Sequence, residues 1–170
     1  MCIRDSFLTE ELRPAIAAAF KVETSRQTLY GHSLGGLFTL GVLFRHPEAF
    51  QTYAASSPSI WWNRRALLKL VPAFEKRVAA GEVAARVLVT IGALEQTPPA
   101  VPPPNMTPAQ VRKLIKDGLM VDNARELGAR LAALKGGPGY HARFAEFVDE
   151  DHMSVVPASL GRTLSFALTS

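Results

Sequence analysis

Arg26-Gln27-Thr28-Leu29-Tyr30-Gly31-His32-Ser33-Leu34-Gly35-Gly36 is the stretch on which the fold turns. Its first five residues are partly β-branched and aromatic and run straight into a glycine-bounded turn, which predicts a buried strand ending at Gly31. Leu34 to Arg45 is apolar on nearly every face and is stopped by His46-Pro47, so it is expected to be a helix buried against a sheet. The pentapeptide between them, Gly31-His32-Ser33-Leu34-Gly35, fits G-x-S-x-G. In that pattern the serine takes a strained turn with positive φ, its flanking glycines make room, and its Oγ is lifted above the sheet.

Working toward the C-terminus, Phe50 to Ser56 supplies a second strand before Pro58. Asn63 to Ala80 is expected to be a helix, with Leu67, Leu68, Val71, Phe74 and Val78 on one stripe and a kink or division at Pro72. Val83 to Gly92 contains the unbroken run Val87-Leu88-Val89-Thr90-Ile91 of a parallel strand covered on both faces. Gln96 to Pro108 holds six prolines and is expected to be a surface loop at the rim of a site. Pro108 to Lys135 returns to helix, in two pieces divided near Gly118, before the breaker Gly136-Gly137-Pro138-Gly139. Tyr140 to Val148 is expected to be a strand and Ser154 to Leu168 a helix. Toward the N-terminus, Leu8, Leu12, Ile16, Ala19 and Phe20 recur at helical spacing, which predicts an amphipathic helix over Phe7 to Phe20.

A helix followed by four strand–helix repeats implies an α/β fold: a parallel sheet with helices on both faces. Four strands are few for such a sheet, and further strands are expected beside the one that ends at Gly31. With 170 residues the chain has room for one domain, and 48% hydrophobic against 20% charged residues is the balance of a globular protein. Its formal charge of +4 comes from basic residues spread from Arg4 to Arg162, a distribution that favours no nucleic-acid partner. A single cysteine, Cys2, excludes an intrachain disulfide, and no metal-ligand spacing surrounds it. No apolar run approaches the roughly 20 residues that span a bilayer, so no membrane partner is expected. Met1 to Ser6 has no periodic pattern and is expected to be a non-native scar ahead of one partial domain, residues 7–170. On that reading the natural start is missing, and localisation stays open between cytoplasm and periplasm; oligomeric state is equally open.

A serine needs a base within hydrogen-bond reach to act as a nucleophile at neutral pH. The chain has four histidines. His32 neighbours the serine in its turn, His46 precedes a proline, and His141 begins a strand far from the sheet's top edge. His152, in Asp149-Glu150-Asp151-His152-Met153-Ser154, lies just beyond the carboxyl end of the last strand, where ligands gather in open α/β sheets. The third member of a triad is expected after the penultimate strand, where Glu95 lies, with Asp122, Asp149 and Asp151 as rivals. The Leu34 amide, at a helix N-terminus, is the expected oxyanion donor. His32, Trp61 and Trp62 are the candidate substrate-binding residues; the tryptophans either wall an apolar pocket or staple the next helix to the core.

Four blocks in order, Tyr30 to Gly36 (YGHSLGG), Ala54 to Trp62 (AASSPSIWW), Ile91 to Gln96 (IGALEQ) and His152 to Pro157 (HMSVVP), resemble the Putative esterase family of α/β-hydrolases. Within it they look most like esterases of enterobactin- and salmochelin-type siderophores. The resemblance runs from about Phe7 to the C-terminus and implies the C-terminal half of the α/β-hydrolase fold. It also implies a serine carboxylic ester hydrolase acting on a small-molecule ester without metal or cofactor, with Ser33 and His152 as nucleophile and base. The family has several strands and a second oxyanion-loop amide ahead of the helix that begins near Phe7, so reduced stability and activity are expected here. Acyl transfer at the same site and a catalytically silent binding module are the alternative functions.

Overall fold

A computed structural model describes residues 6–169. The opening residues read as a scar lie outside the described residues except for Ser6, which begins the first helical turn. Four strands, β1 (Thr28–His32), β2 (Thr52–Ser56), β3 (Arg86–Gly92) and β4 (His141–Phe147), form one sheet in the order β1-β2-β3-β4. Every pairing is parallel, with Gly31 beside Ala55 and Ala55 beside Val89. All four carboxyl ends therefore open on the same edge.

The strands' period of two divides the core. Tyr53, Ala55, Val87, Val89 and Ile91 face one side, against α2 (Leu34–Arg45), α3 (Val71–Ala79) and α5 (Met120–Ala132). Phe74 of α3 is fully buried there, its ring 5.1 Å from Phe44 and 6.3 Å from Tyr140. The opposite face, carrying Tyr30, Ala54 and Leu88, meets α6 (Val155–Leu168) through Phe166. Helices thus cover both faces, as the strand–helix alternation predicts. β1 and β4 are the edge strands, while every residue of the interior β2 is buried.

Two expected helices differ in detail. Over Phe7 to Phe20 a wide helical turn, Phe7–Leu12, runs into α1, Arg13–Ala19, and the hydrogen-bond register changes beside Pro14, which has no N–H to donate. None of these residues is buried, so the predicted apolar stripe is present but uncovered among the described residues. The other is the continuous helix expected over Asn63 to Ala80. Asn63, Arg64 and Arg65 take left-handed φ of 49, 54 and 59°, a 3-10 turn spans Ala66–Leu70, and α3 starts afresh at Val71. Pro72 sits in the first turn of α3, where its missing N–H costs no hydrogen bond, so the break falls before the proline and not at it. The proline-rich loop ends at Thr107, which caps α4 (Pro108–Gly118); α4 and α5 are separated by Leu119 at φ 42°. No helix among the described residues is long and apolar enough to cross a membrane.

Candidate active site

β1 ends at His32 and α2 begins at Leu34, leaving Ser33 alone to reverse the chain at φ 59°, ψ −118°. Steric crowding explains why small residues surround it. A Cβ on Gly31 would stand 2.6 Å from Thr39 Oγ1 and still closer to the Gly35 carbonyl, and one on Gly36 would stand 2.8 Å from the Ser56 carbonyl oxygen. Gly35, expected to be needed for room, would meet nothing with a Cβ; the space is demanded at Gly31 and Gly36 instead. The turn is pinned by the Ser33 N–H donating to Ser56 O (2.9 Å) and the Ser59 N–H donating to Ser33 O (3.1 Å).

Lifted in this way, Ser33 Oγ lies 3.0 Å from Nε2 of His152, and Nδ1 of the same ring lies 2.6 Å from Oε2 of Glu95. A carboxylate only accepts, so Nδ1 carries the proton and Nε2 is free to accept from the serine hydroxyl. The Glu95 side chain is 1% exposed, and its other oxygen accepts from the Gly92 N–H (2.8 Å) and the Ser57 hydroxyl (2.5 Å). Each member comes from the carboxyl end of a different strand: Ser33 after β1, Glu95 in the turn Ala93–Gln96 after β3, His152 in the loop after β4. The His152 loop is itself rigidly tied. Asp151 Oδ1 accepts from the amides of Ser154 and Met153, which hold its carboxyl below the usual range, and the Leu94 N–H donates to Glu150 O at 3.0 Å.

The rival acids are engaged elsewhere or exposed. Asp122 accepts from Gln96 Nε2 and pairs with Arg125, Asp151 closes its own turn, and Asp149 is exposed at φ 65°. The Leu34 N–H, at the first position of α2, has no intrahelical acceptor and follows directly on Ser33. His32 follows the alternation of β1 onto the α6 side, where its ring centroid lies 4.6 Å from that of His152. Burial, and next the positive charge that His152 can carry, push its pKa below the ordinary histidine value. Trp62 is half exposed and lines a groove of about 500 Å³ with Leu34, Leu37, Phe38 and Leu67. Trp61, edge-on to Trp62, turns toward Gly118 at the end of α4 and does not line that groove.

Two hydroxyls join this group without having been singled out as site residues in the sequence. Ser57 is wholly buried against Glu95, and Ser59 Oγ lies 3.3 Å from Ser33 Oγ. Their signal is the density of serines in Ser56-Ser57-Pro58-Ser59 at the carboxyl end of β2, where buried hydroxyls must find polar partners.

Comparison with known proteins matches the family described as Putative esterase to residues 4–118. Among curated relatives, ferri-bacillibactin esterase BesA of Bacillus subtilis (strain 168) is 41% identical over 162 residues, covering 95% of this chain and 50% of the relative. The siderophore triacetylfusarinine C esterase of Aspergillus fumigatus is 39% identical over 163 residues, 94% of this chain and 55% of the relative. Among solved structures, siderophore hydrolase EstB from Aspergillus nidulans superposes with a TM-score of 0.81 at 36% identity, covering 97% of this chain and 56% of that one. The BES protein from Bacillus cereus gives 0.79 at 35% identity, covering 98% and 55%. The chain therefore spans about half the length of the curated relatives it matches, and its sheet is that part of their α/β-hydrolase fold.

Proposed function

From the premise that this chain belongs to the Putative esterase family, we propose that it carries the acylation machinery of a serine carboxylic ester hydrolase. The observation that supports this reading above the others is the unbroken line Ser33 Oγ, His152, Glu95, at 3.0 and 2.6 Å. In the proposed cycle Ser33 Oγ attacks the ester carbonyl carbon while its proton passes to His152 Nε2. The Leu34 amide donates to the oxygen that gains negative charge, where one such donor is worth about 3 kcal/mol in the transition state. The C–O bond to the alcohol breaks, the alkoxide takes the proton from His152, and an acyl group remains on Ser33. Water then attacks that acyl group, again giving its proton to His152, and the acid leaves as Ser33 recovers its hydrogen. Glu95 holds the Nδ1–H tautomer and steadies the imidazolium throughout.

The relatives are named for siderophore esters, so the substrate class we assign is a siderophore trilactone, with Trp62 and the apolar groove beside Leu34 taking part of the ester's carbon skeleton. The test is fluorophosphonate labelling of the chain beside Ser33→Ala and His152→Ala, read by intact mass. One phosphonyl adduct on the parental chain, absent from the first variant and strongly slowed in the second, is expected. A folded parental chain that takes no adduct, or one labelled equally without Ser33, overturns the reading.

A further inference from the structure

Ser57 adopts φ 47°, a region that a residue with a Cβ enters at a cost, and its side chain is entirely removed from solvent. That strain puts its hydroxyl 2.5 Å from Oε1 of Glu95. We propose that Ser57 is a positioning residue for Glu95, and that the turn Ser56–Ser59 ties the acid and the nucleophile to one piece of backbone. This rests on the esterase reading above and adds to it a residue that the triad alone does not require.

Glutamate on a short turn has rotatable bonds enough to point its carboxylate in several directions. Two donors on Oε1, the Gly92 N–H at 2.8 Å and the Ser57 hydroxyl, fix the plane of the carboxylate and leave Oε2 turned to His152 Nδ1 at 2.6 Å. Gly92 alone would define one bond but not the rotation about it; the second donor does. The same turn reaches the other end of the relay. Ser56 O receives the Ser33 N–H, the Ser59 N–H donates to Ser33 O, and the Ser59 and Ser33 hydroxyls lie 3.3 Å apart. The Ser57 N–H donates to Thr90 O at 2.8 Å, anchoring the turn to β3, which leads into the Glu95 turn. A serine that only satisfied its own hydroxyl would need neither the strained φ nor a carboxylate partner.

Ser57→Gly tests this, because glycine enters positive φ freely while losing the hydroxymethyl group that reaches Glu95. Melting temperature is expected to hold or rise, while the rate of Ser33 phosphonylation falls roughly tenfold or more, the loss of one hydrogen bond to a charged group. In a Glu95→Ala background the same substitution is expected to change the rate by less than about twofold, since its action runs through Glu95. The low-field proton resonance of His152 Nδ1 is expected to shift in Ser57→Gly. An unchanged rate with an unchanged resonance, or an equal fractional loss with and without Glu95, overturns the proposal. If the parental chain is not phosphonylated at all, the esterase reading fails, and the His152 resonance still decides the role of Ser57: a shift supports it and constancy refutes it.

Discussion

Gly92 is the position where a single methyl should separate His152 from Ser33 without touching either. Its φ of −82° suits any residue, so backbone strain is not the obstacle. The obstacle is space: a Cβ there would stand 2.9 Å from the Glu150 carbonyl carbon, closer still to that carbonyl's oxygen, and 3.0 Å from Asp151 O. Restoring ordinary carbon contacts of about 3.5–4 Å requires the 150–151 backbone to retreat by roughly 1 Å. His152 is the next residue, so its Nε2 would move from 3.0 Å to about 4 Å from Ser33 Oγ, beyond hydrogen-bond reach. A misplacement of that size costs on the order of a hundredfold in rate. The retreat also strains the Leu94 N–H to Glu150 O bond, worth about 1 kcal/mol. Gly92→Ala should therefore remain folded, lose little melting temperature, and phosphonylate Ser33 about a hundredfold more slowly than the parental chain. If its rate stays within threefold of the parental value while circular dichroism is unchanged, the loop absorbs the methyl without moving the imidazole, and the argument fails.

Two further outcomes follow from the packing. His32 has its pKa lowered by burial and next by the charge of His152, so below its unfolded value of 6.5 the unfolded chain takes up a proton that the folded one resists. Its share of stability is whole above that pH and is lost as pH falls toward the folded value. The melting temperature of His32→Phe should decline less between about pH 7 and 5 than that of the parental chain, and parallel curves would refute this. Phe74→Ala removes a fully buried ring from between Phe44 and Tyr140 and should cost about 3–5 kcal/mol in denaturant unfolding. A loss under about 1 kcal/mol would mean that this part of the core collapses around the gap.

Most of the sheet was legible because its strands announce themselves chemically. Val87 to Ile91 is apolar or β-branched throughout, and Gly31 to Gly35, set between a short β-branched and aromatic run and an apolar helix, fits a tight strand-to-helix turn. His152 and Glu95 could be placed near Ser33 because parallel strands deliver their carboxyl ends to one edge, so position along the chain stands in for position in space. What sequence could not give was side-chain direction. Trp61 and Trp62 are adjacent and chemically identical, yet only Trp62 lines the groove beside Leu34. The left-handed turn Asn63–Arg65 carries no glycine to mark it, and the helical stripe from Leu67 to Val78 passes over it without a visible interruption. Ser57 was hidden for a related reason: a serine in a loop has no hydrophobic pattern, and only its burial against Glu95 distinguishes it from a solvated one. On α1, periodicity showed that a face is apolar without saying what covers it.

Ser33 and His152 are separated by 119 residues, and the loop that carries the histidine immediately precedes α6. A chain emerging from the ribosome therefore carries Ser33 long before the imidazole that lies 3.0 Å from it in the folded protein has been translated. Until β4 has joined the sheet edge, the Ser33 hydroxyl has no imidazole beside it. On the proposed reading the hydroxyl gains its base only when β4 has joined, and adduct formation at Ser33 would report that step.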